Sequence, residues 1–94
     1  MPAYVIVDVD VTNPEQYAKY RELSGIAFSA NDVKVLVRGG ATTVLEGREP
    51  GRVVVLQFDS VEHAKRWYDS PEYRQARAAR AGAAVMNMLI VEGA

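Results

Sequence analysis

Residues Val53–Tyr73, VVVLQFDSVEHAKRWYDSPEY, combine a strand apolar on both faces with two successive helix starts. The run Val53–Leu56 is apolar without a break, where an antiparallel strand with one wet face would alternate. Val54, Leu56 and Phe58 form one face of this strand, and Val53, Val55 and Gln57 form the other, so both faces need cover. Asp59-Ser60 then turns the chain into a helix. Ser60 is placed to cap it, and Glu62 sits in the first turn, where a carboxylate suits the helix dipole. Val61, Ala64, Trp67 and Tyr68 make the apolar stripe. Ser70-Pro71 stops that helix, because the residue before a proline is driven out of the helical region. The same pair starts another, with Ser70 as cap and Pro71 in first position.

Nearer the N-terminus, Ala3–Val11 alternates cleanly, with Val5, Val7, Val9 and Val11 on one face and Tyr4, Ile6, Asp8 and Asp10 on the other, which predicts a first strand whose valines meet the helices. Asn13-Pro14 starts a helix to about Ala30, with Gln16 in the place of a capping-box partner. Tyr17, Tyr20, Ser24, Ala27 and Phe28 share its stripe, and Asn31-Asp32 ends it. Val33–Arg38 predicts a second strand. Gly39-Gly40 suggests a bulge or a close backbone approach, and Thr42–Leu45 a resumed extended run before the turn Gly47–Gly51. After Ser70, a helix from Pro71 to about Ala81 carries Ala76 and Ala79, with Ala83 just beyond it, as small residues for close approach to a sheet. Arg74, Arg77 and Arg80 fall on its expected wet side. Met86–Glu92 closes the chain as a fourth strand.

At 94 residues this is one domain, and a chain of that size buries only roughly 60–65% of its unfolded surface. It has no Cys and a single His, so neither a disulfide nor a metal centre built on thiolates or clustered histidines is available to one chain. Oligomerisation is the remaining help. A net charge of −1 gives no basic excess for a nucleic-acid groove. No apolar run is long enough for a membrane span, and no leader peptide is seen, so a cytoplasmic protein is expected. No cofactor is expected.

The element order, strand-helix-strand-strand-helix-strand, is that of α+β, ferredoxin-like βαββαβ folds with a four-stranded antiparallel sheet. Right-handed crossovers place the first and third strands centrally with both helices on one face. The other face then shows Tyr4, Ile6, Val53 and Val55. A sheet of this size projects roughly 400 Å², and an apolar patch that large is uncommon on a monomer. The expected partner is therefore a second copy of the chain, most simply as a symmetric dimer.

The segments AYVIVDVDVTNPEQYAKYRE, LVRGG, VLEG, VVVLQFDSVEHAKRWYDSPEY and the terminal VEG, in that order, resemble the bacterial family known as domain of unknown function 1330. The resemblance covers nearly the whole chain. It implies a dimeric α+β barrel of ferredoxin-like halves and an unassigned biochemical role. Related barrels include cofactor-free monooxygenases, haem-degrading enzymes, chlorite dismutases and small isomerases, a kinship of fold that is weak ground for chemistry. The sequence departs from the family pattern at Asn31–Lys34, Arg48–Pro50 and Met86–Met88, all near the expected barrel mouth.

Asp8 reads in two ways: a carboxylate inside the barrel able to move a proton, or a structural partner of Arg38 or of a second chain. Arg38 reads as the holder of a carboxylate or enolate through paired hydrogen bonds, or as a structural ion pair. Gly39 opens the backbone beside it. Trp67, Tyr68 and Tyr73, with Tyr4 from the first strand, are candidate ligand contacts, although aromatic residues at helical spacing more often belong to a core. Ser70 is a cap rather than a nucleophile, and His63 is placed on the surface. The alternatives are a homodimer binding a small, partly apolar or carboxylated molecule, a cofactor-independent enzyme using Asp8 and Arg38, and an association module with no ligand.

Overall fold

The computed structural model describes residues 1–94. Its elements are β1 (Ala3–Val11), α1 (Pro14–Ala30), β2 (Lys34–Arg38), β3 (Arg52–Phe58), α2 (Val61–Asp69), α3 (Pro71–Ala79) and β4 (Ala84–Glu92). The strands form one antiparallel sheet in the order β2-β3-β1-β4. Alternation in β1 sets the faces: Val5, Val7 and Val9 are buried beneath the helices, while Asp8 and Asp10 are exposed. Val11, at the strand end, is exposed too. Register aligns Val7 with Val54 and Met88 on the covered face, and Ile6 with Val55 and Leu89 on the other. No helix is long and apolar enough to cross a membrane.

The helix starts follow their caps. Asn13 Oδ1 accepts the Gln16 amide at 3.2 Å, and Ser60 Oγ accepts that of His63 at 3.1 Å. Gln16 closes no capping box; its Nε2 donates to the carbonyls of Ala79 and Ala81 at 3.0 and 2.7 Å, tying the start of α1 to the end of α3. Ser70 is buried at the junction of α2 and α3. It donates to the Trp67 carbonyl at 2.7 Å and accepts from the Tyr73 amide and from Asn31 Nδ2, both at 3.2 Å. Ser70→Ala removes a cap and strands buried donors, so we expect a loss of about 1–2 kcal/mol in urea unfolding. No loss would show that the cap is not needed.

Several local readings are corrected by contacts made far along the chain. Thr42–Leu45 is exposed and forms no strand, because β3 begins only at Arg52 and leaves that segment no ladder to join. The bulge falls between Val35 and Val37 rather than at the glycine pair. Gly39 instead ends the strand at φ +72° and donates to the Val53 carbonyl at 2.8 Å. The small residues of α3 bring it against α1 rather than the sheet. His63 is not on the surface: its ring lies edge-on to Phe58, Nδ1 accepts the Asp59 amide at 3.1 Å, and Nε2 lies 2.6 Å from the Asn31 carbonyl. Arg77 and Arg80 are not on a wet side either. Their guanidinium groups lie 4.1 Å from the Tyr68 ring centre and 5.5 Å from that of Tyr20; Arg74 alone of the three is exposed.

Candidate functional site

The stripe of α1 meets the sheet through large rings, and the space between them is not filled. A narrow cavity of about 30 Å³ remains there, about the share of one water molecule. Val7, Val54, Leu56, Met86 and Met88 form its sheet side, and Tyr17, Tyr20, Ser24 and Phe28 its α1 side. Trp67 and Tyr73 reach it from α2 and α3. The remaining lining residues are Arg21, Arg38 and Arg52.

The three arginines have no acidic partner. The ion pairs of the chain are Lys19–Glu22, Asp59–His63 and Glu62–Lys65, none of which includes an arginine. Arg38 Nη2 donates to the Arg21 carbonyl at 3.4 Å, near the outer limit of a hydrogen bond, and its guanidinium lies 5.6 Å from the Phe28 ring centre. Arg52 is half-buried, with Nε shielded from solvent and without a hydrogen-bond partner. A Cβ at Gly39 would come within 2.6 Å of the Arg52 guanidinium carbon, so glycine there leaves room for this side chain.

Much of the remaining lining is aromatic. Trp67 is 1% exposed, with its ring centre 4.2 Å from that of Tyr73 and 5.3 Å from that of Phe58, and its indole N–H has no acceptor. The hydroxyls of Tyr20 and Tyr73 lie 2.7 Å apart. Burial raises the pKa of both phenols; for Tyr20 the neighbouring Tyr73 adds to the rise. The folded chain holds these protons more tightly than the unfolded chain, so their contribution is complete below about pH 10 and is lost above it as the unfolded tyrosines ionise. We expect Tyr20 and Tyr73 to ionise only together with alkaline unfolding. Absorbance at high pH, recorded beside circular dichroism, checks this; their ionisation in a still-folded chain would refute it.

The structure brings Arg38, Trp67 and Tyr73 to one cavity and sets Gly39 behind it. It does not bring Asp8 there. Arg38 pairs in register with Val54, and Val54 with Val7, so Arg38 is on the covered face, while Asp8 pairs with Val53 on the opposite one. No Asp8–Arg38 ion pair forms; Asp8 Oδ1 accepts the Gly51 amide at 2.9 Å. Tyr4 shares the face of Asp8. Tyr68 lies outside this cavity, in an open apolar groove of about 310 Å³ with Val5, Trp67, Met88, Leu89 and Ile90. Sequence reasoning missed Arg21 and Arg52 as site residues. Arg52 had a signal: it shares parity with Val54, Leu56 and Phe58, a cation on the buried face of a strand. Arg21 had none, since only the fold sets it beside β2. No cluster of metal-ligating side chains is present.

A four-stranded antiparallel sheet in this order, with its helices on one face, defines a ferredoxin-like α+β protein. The chain belongs to the family described as Domain of unknown function (DUF1330), which it matches over residues 2–94. It is similar in structure to RPA0582, a protein of unknown function from Rhodopseudomonas palustris: TM-score 0.78, 23% identity, 99% of this chain and 82% of that one. It is similar to a dimeric protein of unknown function with a ferredoxin-like fold from Bacteroides fragilis: TM-score 0.68, 12% identity, 98% and 96%. It is also similar to SnoaB, a cofactor-independent oxygenase from Streptomyces nogalater: TM-score 0.66, 10% identity, 99% and 93%. Likeness at these identities is one of fold. No curated protein matches the sequence.

Proposed function

We propose that the chain is a homodimer that binds a small, partly apolar, carboxylate-bearing molecule between sheet and helices. The observation that carries this is the set of three arginines, unpaired with any acid, on the lining of an otherwise aromatic and aliphatic cavity. Arg52 is half-buried with Nε unpartnered, Arg21 and Arg38 are exposed and free of acids, and guanidinium groups match carboxylates in geometry. Arg38, Arg21 and Arg52 hold the anion; the rings of Trp67, Tyr73 and Phe28 surround the rest of the molecule. Gly39 acts indirectly, by leaving room for Arg52. Tyr68 and Tyr4 would serve a ligand only from the outer groove and from the sheet face opposite. The cavity is small with Arg38 across Phe28, so a larger guest needs that side chain, held by one long bond, to swing aside.

Arg38 is exposed, so Arg38→Met leaves folding intact. We expect it to weaken binding of short-chain carboxylates at least about tenfold, equal to about 1.4 kcal/mol. Titration followed by NMR checks this, together with native mass spectrometry of protein from its host. A wild-type chain that carries no anion from its host and binds no carboxylate would leave the association module standing instead.

The second reading is a cofactor-independent enzyme with Asp8 as acid–base group and Arg38 as anion holder, favoured by likeness of fold to an oxygenase so described. Asp8 lies on the face that a second copy would cover, so its role would be played at that interface and not beside Arg38. Once any turnover is found, an Asp8→Asn variant that retains it would remove Asp8 from the chemistry.

A further inference from the structure

The residues lining the cavity carry hydrogen-bond donors that no hydrogen bond of the chain satisfies. Tyr20 and Tyr73 share one hydrogen bond, yet two hydroxyls carry two protons. Whichever phenol donates, the proton of the other has no side-chain or backbone acceptor among the hydrogen bonds of the chain. Tyr73 is 0% exposed and Tyr20 7%. The Trp67 ring packs on that of Tyr73, and its indole N–H is buried and has no acceptor. Buried donors left without an acceptor are costly, more so than spare lone pairs. The other hydroxyls of α1 in the lining are those of Ser24, whose proton goes to the Arg21 carbonyl at 3.2 Å, and of Tyr17, which is not hydrogen-bonded to Tyr20 or Tyr73. Apart from these hydroxyl oxygens, the lining side chains offer as acceptors only the thioethers of Met86 and Met88, which are weak. Burial keeps both phenols protonated, so they remain donors throughout the neutral range. The arginines offer donors as well.

We infer that the molecule bound here is an oxo acid: a carboxylate held by the arginines, with a second, carbonyl-type oxygen that accepts from the Tyr20–Tyr73 pair and the Trp67 indole. This rests on the anion-binding reading above and adds the chemical class. It excludes acids whose far end is purely hydrocarbon and acids whose far end is itself a donor, such as an ammonium group. It makes the phenol pair and the indole specificity-determining residues, acting on ligand selection and not on the anion.

Two probes of nearly equal shape separate the possibilities: 4-oxopentanoate and 4-methylpentanoate. A greasy cavity with no unmet donors favours the branched hydrocarbon, since the ketone loses hydration on burial. The inference expects the reverse, with the oxo acid bound at least about tenfold more tightly. Tyr20→Phe/Tyr73→Phe removes the surplus proton and should erase or invert that preference while carboxylate binding persists. Because two buried hydroxyls are lost at once, a second measurement uses the intact chain. Trp67 is the single tryptophan, so its indole N–H gives one identifiable NMR signal. That signal should move downfield with 4-oxopentanoate and stay in place with 4-methylpentanoate. Equal affinities, or preference for the hydrocarbon acid, would overturn the inference and leave the anion site standing. Binding of neither would overturn both.

Discussion

Replacing Trp67 by alanine is expected to remove about 3–5 kcal/mol of stability, the usual cost of emptying a buried aromatic site. The ring is 1% exposed and lies against Tyr73, Phe58, Phe28 and Tyr68, so helices α1, α2 and α3 and the central strand β3 all lean on it. A chain of 94 residues has about 5–14 kcal/mol in total, so a large share would go. The thermal midpoint should fall by more than about 12 °C. Far-ultraviolet circular dichroism in urea is the appropriate readout, since the only tryptophan is the one removed. Trp67→Phe should cost much less. It keeps most of the apolar area and deletes an indole N–H that lacks an acceptor. If alanine costs under about 1 kcal/mol, the ring is not the keystone its contacts describe.

Val55→Asp is expected to turn the proposed dimer into a monomer without unfolding the chain. Val55 is on the central strand β3 and pairs with Ile6 on one side and Val37 on the other, in the middle of the helix-free face. Around it Val37, Leu89 and Val91 are exposed at 40%, 48% and 45%. An apolar surface of that kind is uncommon on a monomer, which is the ground for the proposed interface. In the dimer an aspartate there would be buried near its symmetry mate, where desolvation and like charge cost several kcal/mol. The dissociation constant should rise about a hundredfold or more. In the isolated chain the same residue faces water, and the cost is limited to strand preference, within about 1 kcal/mol. Sedimentation at micromolar concentration reads the difference. A wild-type chain that already sediments as a monomer, or a variant that remains dimeric, would refute this interface.

The elements were legible because their signals are local. Valine alternation set β1, Asn13-Pro14 and Ser60 set the helix starts, and Ser70-Pro71 split α2 from α3, each through contacts within about four residues. The boundaries of β2, α3 and β4 came out within a residue or two, as fraying ends allow. The run of apolar residues on both faces of β3 also stated, without any coordinates, that helices on one side would leave the other bare.

Sequence by itself therefore determined the order of elements, the four-stranded α+β fold and which face of each strand is apolar. The tertiary structure alone decided what meets what. Register placed Arg38 on the covered face and Asp8 on the bare one; the turn at Asn31 drew His63 inward; packing of α1 on α3 joined the hydroxyls of Tyr20 and Tyr73, 53 positions apart. The physical reason is range. A cap or an alternation is fixed by neighbours along the chain, whereas a cavity is assembled from elements distant in sequence, and one step of register moves a side chain from one face of the sheet to the other.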